Sequence, residues 1–213
     1  MDDAAQAAAY AAADFSEAHS RIVEAYADYF PDDRIAGTVL DLGCGPGDIS
    51  FRFAARFSAC RVLGVDGAAA MLRLAEQRKL LEPAVGARVQ FIEALLPGAA
   101  IPAGQYAAII SNSLLHHLHD PAVLWQTIVR HAHAGTRIYV VDLFRPPSAA
   151  VAQQLMETYA AGEPDLLRRD FYNSLLAAFE PSEVEAQLVE AGLPELAVEL
   201  ISDRHLVVHG VKR

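Results

Sequence analysis

The sequence predicts an α/β fold: a seven-stranded, mainly parallel sheet with helices on both faces, a terminal antiparallel hairpin and a helical cap. Three observations predict it. Short β-branched and apolar runs alternate with helix-spaced apolar segments between residues 35 and 145. A glycine-rich turn, Gly43-Cys44-Gly45-Pro46-Gly47, follows the first run and opens a helix. The last two runs are joined by only Ser202-Asp203-Arg204, too short for a parallel crossover.

Along the chain, residues 4–13 are nearly pure alanine, a strong helix former with little to pack. Asp14 with Glu17 reads as a capping box, and Phe15, Ala18, Ile22, Ala25, Tyr26 and Tyr29 recur at helical spacing until Pro31. Thr38–Leu42 is a buried strand, Ile49–Phe57 a helix, Arg61–Asp66 a second strand and Ala68–Leu81 a second core helix. Val89–Ile92 and Tyr106–Ser111 are the third and fourth strands. Pro121 opens a helix reaching about His133, and Thr136–Leu143 is the fifth strand. The alternation then lapses into two helical segments split by Gly162-Glu163-Pro164. A helix from Pro181 to Gly192 precedes the strands Leu196–Ile201 and His205–Val211. The organisation expected is an N-terminal helical cap (1–34), an α/β core (35–145), a helical insertion forming a substrate lid (146–180) and a closing helix with hairpin (181–213).

With 213 residues, 53% hydrophobic and 21% charged, the chain buries a core and is not disordered. No apolar run reaches the roughly 18 residues of a membrane span. Asp plus Glu outnumber Lys plus Arg by 27 to 17, a net charge of −10 that disfavours nucleic-acid and anionic-membrane partners. Cys44 and Cys60 are too few for a disulfide framework or a four-thiolate metal site. The opening Met1-Asp2-Asp3 lacks the basic region of a secretory signal, so a cytoplasmic location is expected.

The glycine turn carries the chemistry. Its spacing, Gly43-x-Gly45-x-Gly47, has a shorter second gap than the G-x-G-x-x-G of a dinucleotide loop. Asp41 precedes it and Asp48 follows. A carboxylate about 4 Å from a phosphate costs about 4 kcal/mol at a near-surface dielectric, so this bracket suits a ligand with positive charge. S-adenosylmethionine has a sulfonium and an ammonium and no phosphate. Asp66, ending the second strand, is placed to accept from ribose hydroxyls.

With Val39-Leu40-Asp41-Leu42-Gly43-Cys44-Gly45-Pro46-Gly47, Gly64-Val65-Asp66 and residues 106–118 (YAAIISNSLLHHL), the chain resembles the class I S-adenosylmethionine-dependent methyltransferases. The closing Asp203–Val208 fits their last hairpin. The likeness is close over residues 35 to 145 and holds in outline over 181 to 213. It implies a Rossmann-like sheet and S-adenosylmethionine as cofactor, with S-adenosylhomocysteine as product. It also implies roles: Gly43 and Gly45 against the methionine part, Asp41 near its ammonium, Asp66 and Gly67 at the ribose, and Met71 on the adenine. Ala94 and Leu95 fall at the adenine edge, and Ser111 and Asn112 under the transferring methyl. Many members have an aspartate at the adenine edge where this chain has Glu93-Ala94-Leu95-Leu96, leaving that contact to backbone groups or Glu93.

His116, His117 and His119 have no nearby cysteine or carboxylate to complete a ligand set, so no metal is expected, and Asp120 reads as a helix cap. His116 or His117 is the candidate general base. Arg168, Arg169, Tyr159 and Tyr172 in the insertion are candidates for a substrate wall, and Cys44 reads as a packing residue. The function expected is methyl transfer to a small-molecule acceptor by in-line attack. A protein or tRNA methyltransferase and a non-catalytic cofactor-binding partner subunit stay open. The alanine-rich helix offers a contact for a homodimer.

Overall fold

The computed structural model describes residues 16–31, 35–98 and 100–213. The alanine tract and Asp14 of the expected capping box lie outside them. In chain order the elements are α1 (Ser16–Tyr29), β1 (Gly37–Leu42), α2 (Asp48–Arg56), β2 (Cys60–Asp66), α3 (Ala69–Leu81), α4 (Pro83–Gly86) and β3 (Val89–Glu93). Then follow β4 (Tyr106–Asn112), a 3-10 turn (Leu115–His117), α5 (Ala122–His131), β5 (Arg137–Leu143), α6 (Ala149–Tyr159), α7 (Asp165–Ala177), α8 (Pro181–Glu190), β6 (Ala197–Leu200) and β7 (His205–Val211).

The seven strands form one sheet in the order β3-β2-β1-β4-β5-β7-β6. β1 through β5 pair in parallel, and β7 runs antiparallel to both β5 and β6. The chain builds outward from β1 to β3, returns past β1 to β4, and builds outward the other way. The carboxyl ends of β1 and β4 therefore flank the switch in strand order, where helices diverge and leave a crevice.

The central strands are mostly apolar because both faces are covered, with polar residues such as Asp41, Ser111 and Asp142 toward their carboxyl ends. Leu40, Leu42, Ile109, Val140 and Val208 pack on one face with Trp125 and Ile128 of α5 and Leu188 of α8. Val39, Ile110, Tyr139 and Val141 face the other way onto Tyr26 of α1 and Phe51 and Phe53 of α2. Trp125 Nε1 donates to Gln187 Oε1 at 2.9 Å and joins α5 to α8. The insertion has a small core of its own, Ala152, Leu155, Leu175 and Ala178, seated on Leu143 at the end of β5.

The differences from expectation sit at ends and in short turns. The helix opened by Pro121 stops at His131, and Thr136 precedes its strand; its hydroxyl accepts from the His133 amide at 3.0 Å. The four-residue α4 and the 3-10 turn are too short for an apolar period to announce them. A capping box does occur at α8, where Glu180 and Glu183 bond each other's backbone.

Phe53 is 1% exposed and packs edge-on to Tyr26 at 4.8 Å, joining α1 to α2. Phe53→Ala is expected to lower unfolding free energy by about 3–5 kcal/mol in urea titration, with the m-value unchanged.

Candidate functional site

The loop after β1 turns by left-handed backbone at Gly43 (φ 72°), Gly45 (φ 53°) and Gly47 (φ 83°). The Gly43 and Cys44 amides both donate to the Val65 carbonyl, at 2.8 and 3.0 Å, which lashes the loop to the end of β2. A Cβ on Gly43 would come within 2.9 Å of the Leu114 side chain, whereas one on Gly45 would meet nothing within 4 Å. The loop is thus closed on its Gly43 side and open at Gly45.

Asp66 fastens two loops at once. One carboxylate oxygen accepts the Gly45 amide and the other the Ala68 amide, each at 2.8 Å. Two amides leave a carboxylate with further lone pairs for ligand hydroxyls. Asp41 is 1% exposed and takes a 2.5 Å bond from Ser50 Oγ. Burial, opposed by the Ser50 bond and reinforced by the charge of Asp66, pushes it up to about 7.

Asp48 does not belong to this anionic pair. It lies 2.7 Å from His19 Nδ1 and 2.7 Å from Arg52 Nε, and Arg78 also bonds it. Burial pushes its pKa up, but bonds from His19, Arg52 and Arg78 outweigh that and hold it well below the carboxylate range. The expectation that Asp41 and Asp48 together bracket a cation is corrected: Asp41 is partnered in that charge by Asp66, because α1 and α3 bring neutralising groups to Asp48.

Of the adenine-side candidates, Met71 is 2% exposed and packed with Ala68, Ala70 and Leu74. The Ala94 amide donates to the Asp66 carbonyl at 3.0 Å. Leu95 is 79% exposed, and a Cβ on Gly67 would come within 2.6 Å of it, so a large apolar side chain stands in water over Gly67. Glu93 pairs in register with Asp66. At the end of β4, Ser111 is buried and its hydroxyl donates to the Leu42 carbonyl at 2.8 Å, so it ties β4 to β1. Asn112 Oδ1 is buried with no hydrogen-bond partner.

The turn after β4 holds the histidines. His116 Nδ1 is 2.6 Å from Asp142 Oδ1, and both side chains are buried. The His117 ring lies against His116 with centroids 4.0 Å apart and planes tilted by 41°; its outer edge is exposed, and partial burial, then His116, push its pKa down. His205 of β7 is pushed down to about 4 by burial and then Arg204. Sequence reading missed Asp142 and His205. The one available signal for Asp142 was a lone acid in the apolar run Ile138–Phe144. Among the described residues no three His, Cys, Asp or Glu side chains are placed to hold a metal ion.

Burial, then Asp41 and Asp66, push the Cys44 thiol up, which keeps it protonated and inert. In the insertion, Tyr159 donates to Asp203 at 2.7 Å and Arg204 lies 3.4 Å over its ring, which ties α6 to the closing hairpin. Arg168 reaches Asp165 at 3.5 Å, and its Nε is buried without a partner. Arg169 is exposed, and Tyr172 packs on the insertion core. A cavity of about 440 Å³ lined by Thr38, Arg61, Arg88, Gln90 and Tyr106 opens at the amino ends of the strands, on the opposite edge from these residues.

Residues 39–135 match the protein family described as a methyltransferase domain. These residues run from β1 to the start of β5, the parallel part of the sheet and the glycine loop included. Over 100 residues it is 37% identical to trans-aconitate 2-methyltransferase of Azoarcus sp. (strain BH72), covering 47% of this chain and 36% of that protein. Over 161 residues it is 29% identical to the ubiquinone biosynthesis O-methyltransferase of Pseudomonas paraeruginosa, covering 73% of this chain and 64% of that one. The match thus spans about a third to two thirds of these relatives' lengths. A SAM-dependent methyltransferase from Aquifex aeolicus shares the fold, with TM-score 0.70, 14% identity and 97% of each chain covered. Within the matched residues the glycine loop, Asp41 and Asp66 lie toward the carboxyl ends of β1 and β2, beside the strand-order switch.

Asp48 joins α1, α2 and α3, so Asp48→Asn is expected to cost about 2 kcal/mol of stability at pH 7. A carboxylate with depressed folded pKa contributes fully above its unfolded value near 3.9 and loses that contribution as pH falls through the folded value. The gap between wild type and variant should therefore persist at pH 5 and shrink below about pH 4 in thermal melts.

Proposed function

We propose that this chain transfers a methyl group from S-adenosylmethionine to a small-molecule acceptor. The observation that carries the reading is Asp66 bonded to the amide of Gly45, whose outer side is open, with the buried Asp41 carboxyl close enough to feel the charge of Asp66. A cation-bearing nucleoside without phosphates fits there, and a diphosphate is repelled.

The residues present fit that cofactor. Asp66, with Gly67 beside it, would accept from the ribose hydroxyls with the lone pairs that the Gly45 and Ala68 amides leave. Asp41 would offer an acceptor to the ammonium, and Asn112, whose buried Oδ1 has no hydrogen-bond partner, would lie with Ser111 under the transferring methyl. Gly43 and Gly45 give the methionine part backbone at close approach. Ala94, Leu95 and Met71 border the adenine, with Leu95 gaining the apolar contact it lacks. Ser111 acts by holding β4 against β1. When bound, the cofactor supplies an electrophilic methyl on sulfonium. The chain's part is to hold donor and acceptor in line and exclude water, and proximity of this kind is worth about 7–11 kcal/mol.

The two curated relatives are named for small acceptors, trans-aconitate and ubiquinone precursors, and they support an acceptor of that size. The insertion, residues 146–180, is read as a lid over the carboxyl edge, with its short core on Leu143 as support. Both cysteines are free, which fits a reducing compartment such as the cytoplasm. No helix among the described residues is long and apolar enough to cross a membrane.

Isothermal titration with S-adenosylhomocysteine, S-adenosylmethionine and NAD tests the reading. Binding of the first two without NAD is expected, and tight NAD binding alone overturns it. Asp66→Asn should weaken S-adenosylhomocysteine binding by about 1.5–3 kcal/mol, the usual worth of hydrogen bonds to a charged group.

The pH dependence follows from Asp41. Its folded pKa of about 7 lies above the unfolded value, so in the ligand-free protein it holds a proton over the interval between them. An ammonium ligand favours the ionised form, so affinity should fall as pH drops below about 7, by up to tenfold per unit. Asp41→Asn is expected to flatten that slope in titrations from pH 5.5 to 8.5.

A further inference from the structure

The cavity of about 440 Å³ at the amino ends of the strands owes its existence to a crossover without a helix. A parallel crossover ordinarily lays a helix on the sheet. The one from β3 to β4, residues 94–105, has no helix among its described residues, and its last part, residues 102–105, borders the cavity instead. Parallel pairing sets Thr38 beside both Arg61 and Tyr106, and Leu63 beside Gln90. Arg61 and Leu63 are two positions apart, so this row and the next present their side chains on one face of the sheet.

The lining gathers donors without the groups that would use them. Two guanidiniums, Arg61 and Arg88, line the cavity, and no carboxylate does. Arg88 is held by Nη1, which donates to the Cys60 carbonyl at 3.1 Å and to that of Phe57 at 3.4 Å, so its other nitrogens stay unspent. Arg61 is exposed and has no bond or ion pair with any described residue. The side chains of Thr38, Gln90 and Gln105 likewise make no hydrogen bond among the described residues. By contrast, Arg52, Arg78, Arg145 and Arg204 each reach a carboxylate.

In a chain of net charge −10, two unneutralised guanidiniums on one concave surface attract an anion locally. Screening over about 8 Å at physiological salt hides the more distant carboxylates. A polyanion would extend past the cavity onto a surface that repels it, so the occupant is small. The volume falls within the roughly 300–1,000 Å³ of small-molecule sites. Guanidinium forks match carboxylate and phosphate oxygens, and the Thr38 hydroxyl with the two glutamine amides offers donors and acceptors to hydroxyl groups. We propose that this cavity is a second ligand site, separate from the methyl-transfer crevice, and that Arg61 and Arg88 hold in it a small hydroxylated oxyanion, a carboxylate or a phosphate.

Isothermal titration of the full chain with citrate, ribose 5-phosphate and inorganic phosphate at about 0.15 M salt tests this. Citrate or ribose 5-phosphate is expected to bind with a Kd below about 1 mM. Citrate alone would mark a carboxylate site, and ribose 5-phosphate alone a phosphate site. Arg61→Gln should weaken the tighter of the two by about tenfold or more, and Arg61→Lys, which keeps the charge and loses the fork, should fall between. Arg61 has no partner to lose, so without ligand Arg61→Gln should melt with the wild type, which separates lost binding from lost folding. In amide NMR the ligand should shift the side-chain amides of Gln90 and Gln105 and leave Gly45 and Ala68 in place. Four outcomes would overturn the proposal: no binding of either ligand by the wild type, equal affinity in Arg61→Gln, shifts confined to the loop after β1, or inorganic phosphate binding as tightly as both, which would mean an adventitious ion only.

Discussion

The Asp66 carboxylate is the tie on which the crevice depends. Its two oxygens cap amides from two different loops, Gly45 after β1 and Ala68 after β2. These loops have no regular partner and would otherwise expose buried donors, at about 1–3 kcal/mol each. The tie forms only because Gly45 takes a left-handed turn that points its N–H at β2, and because parallel pairing sets Leu42 beside Val65. Sheet register, loop conformation and site charge are thus one constraint. A shift of β2 by one residue would turn Asp66 to the opposite face and remove the cap of Ala68 and the anchor of the glycine loop together.

Electrostatics in this domain are decided by long-range partners more than by neighbours in the chain. Asp41 and Asp48 lie seven positions apart around the same glycines, yet they end in opposite states. Asp48 faces two guanidiniums and an imidazole and is held ionised, while Asp41 is buried with one hydroxyl donor and a second carboxylate nearby. The net charge of −10 predicts neither. What matters at the crevice is which helices send side chains to each strand end. α1 and α3 bring His19 and Arg78 to Asp48, and no cation reaches Asp41 in the same way.

The architecture was legible because both periods are strong. Val39 and Leu40 on opposite faces, and the glycine run that follows, announce strand, turn and helix together. The loop residues Gly43, Gly45 and Asp66 were readable for the same reason: their roles follow from local backbone needs. His116 was visible as a candidate, but its partner was not. Asp142 lies 26 positions away, and only the adjacency of β4 and β5 brings the two together. Asp48 was misread for the matching reason, since Arg78 is 30 positions downstream and His19 29 upstream. Ser111 illustrates a third limit: the sequence placed it at the correct strand end but did not say that its hydroxyl would be taken by the Leu42 carbonyl.

Three strands, β1, β2 and β5, carry an aspartate at or near their carboxyl ends, and the fold gives each a different set of donors. Asp41 has one hydroxyl donor and no charge partner, so its proton affinity is high and responds to whatever cation arrives. Asp66 has two amides and partial solvent access, which suits a permanent acceptor. Asp142 has two amides and an imidazole around it, and its side chain is 1% exposed. Identical side chains are separated in function by the number of amides that reach them and by whether a cation or a carboxylate stands next to them. A sheet that ends several strands at one edge brings such groups to that edge, each with its own set of donors.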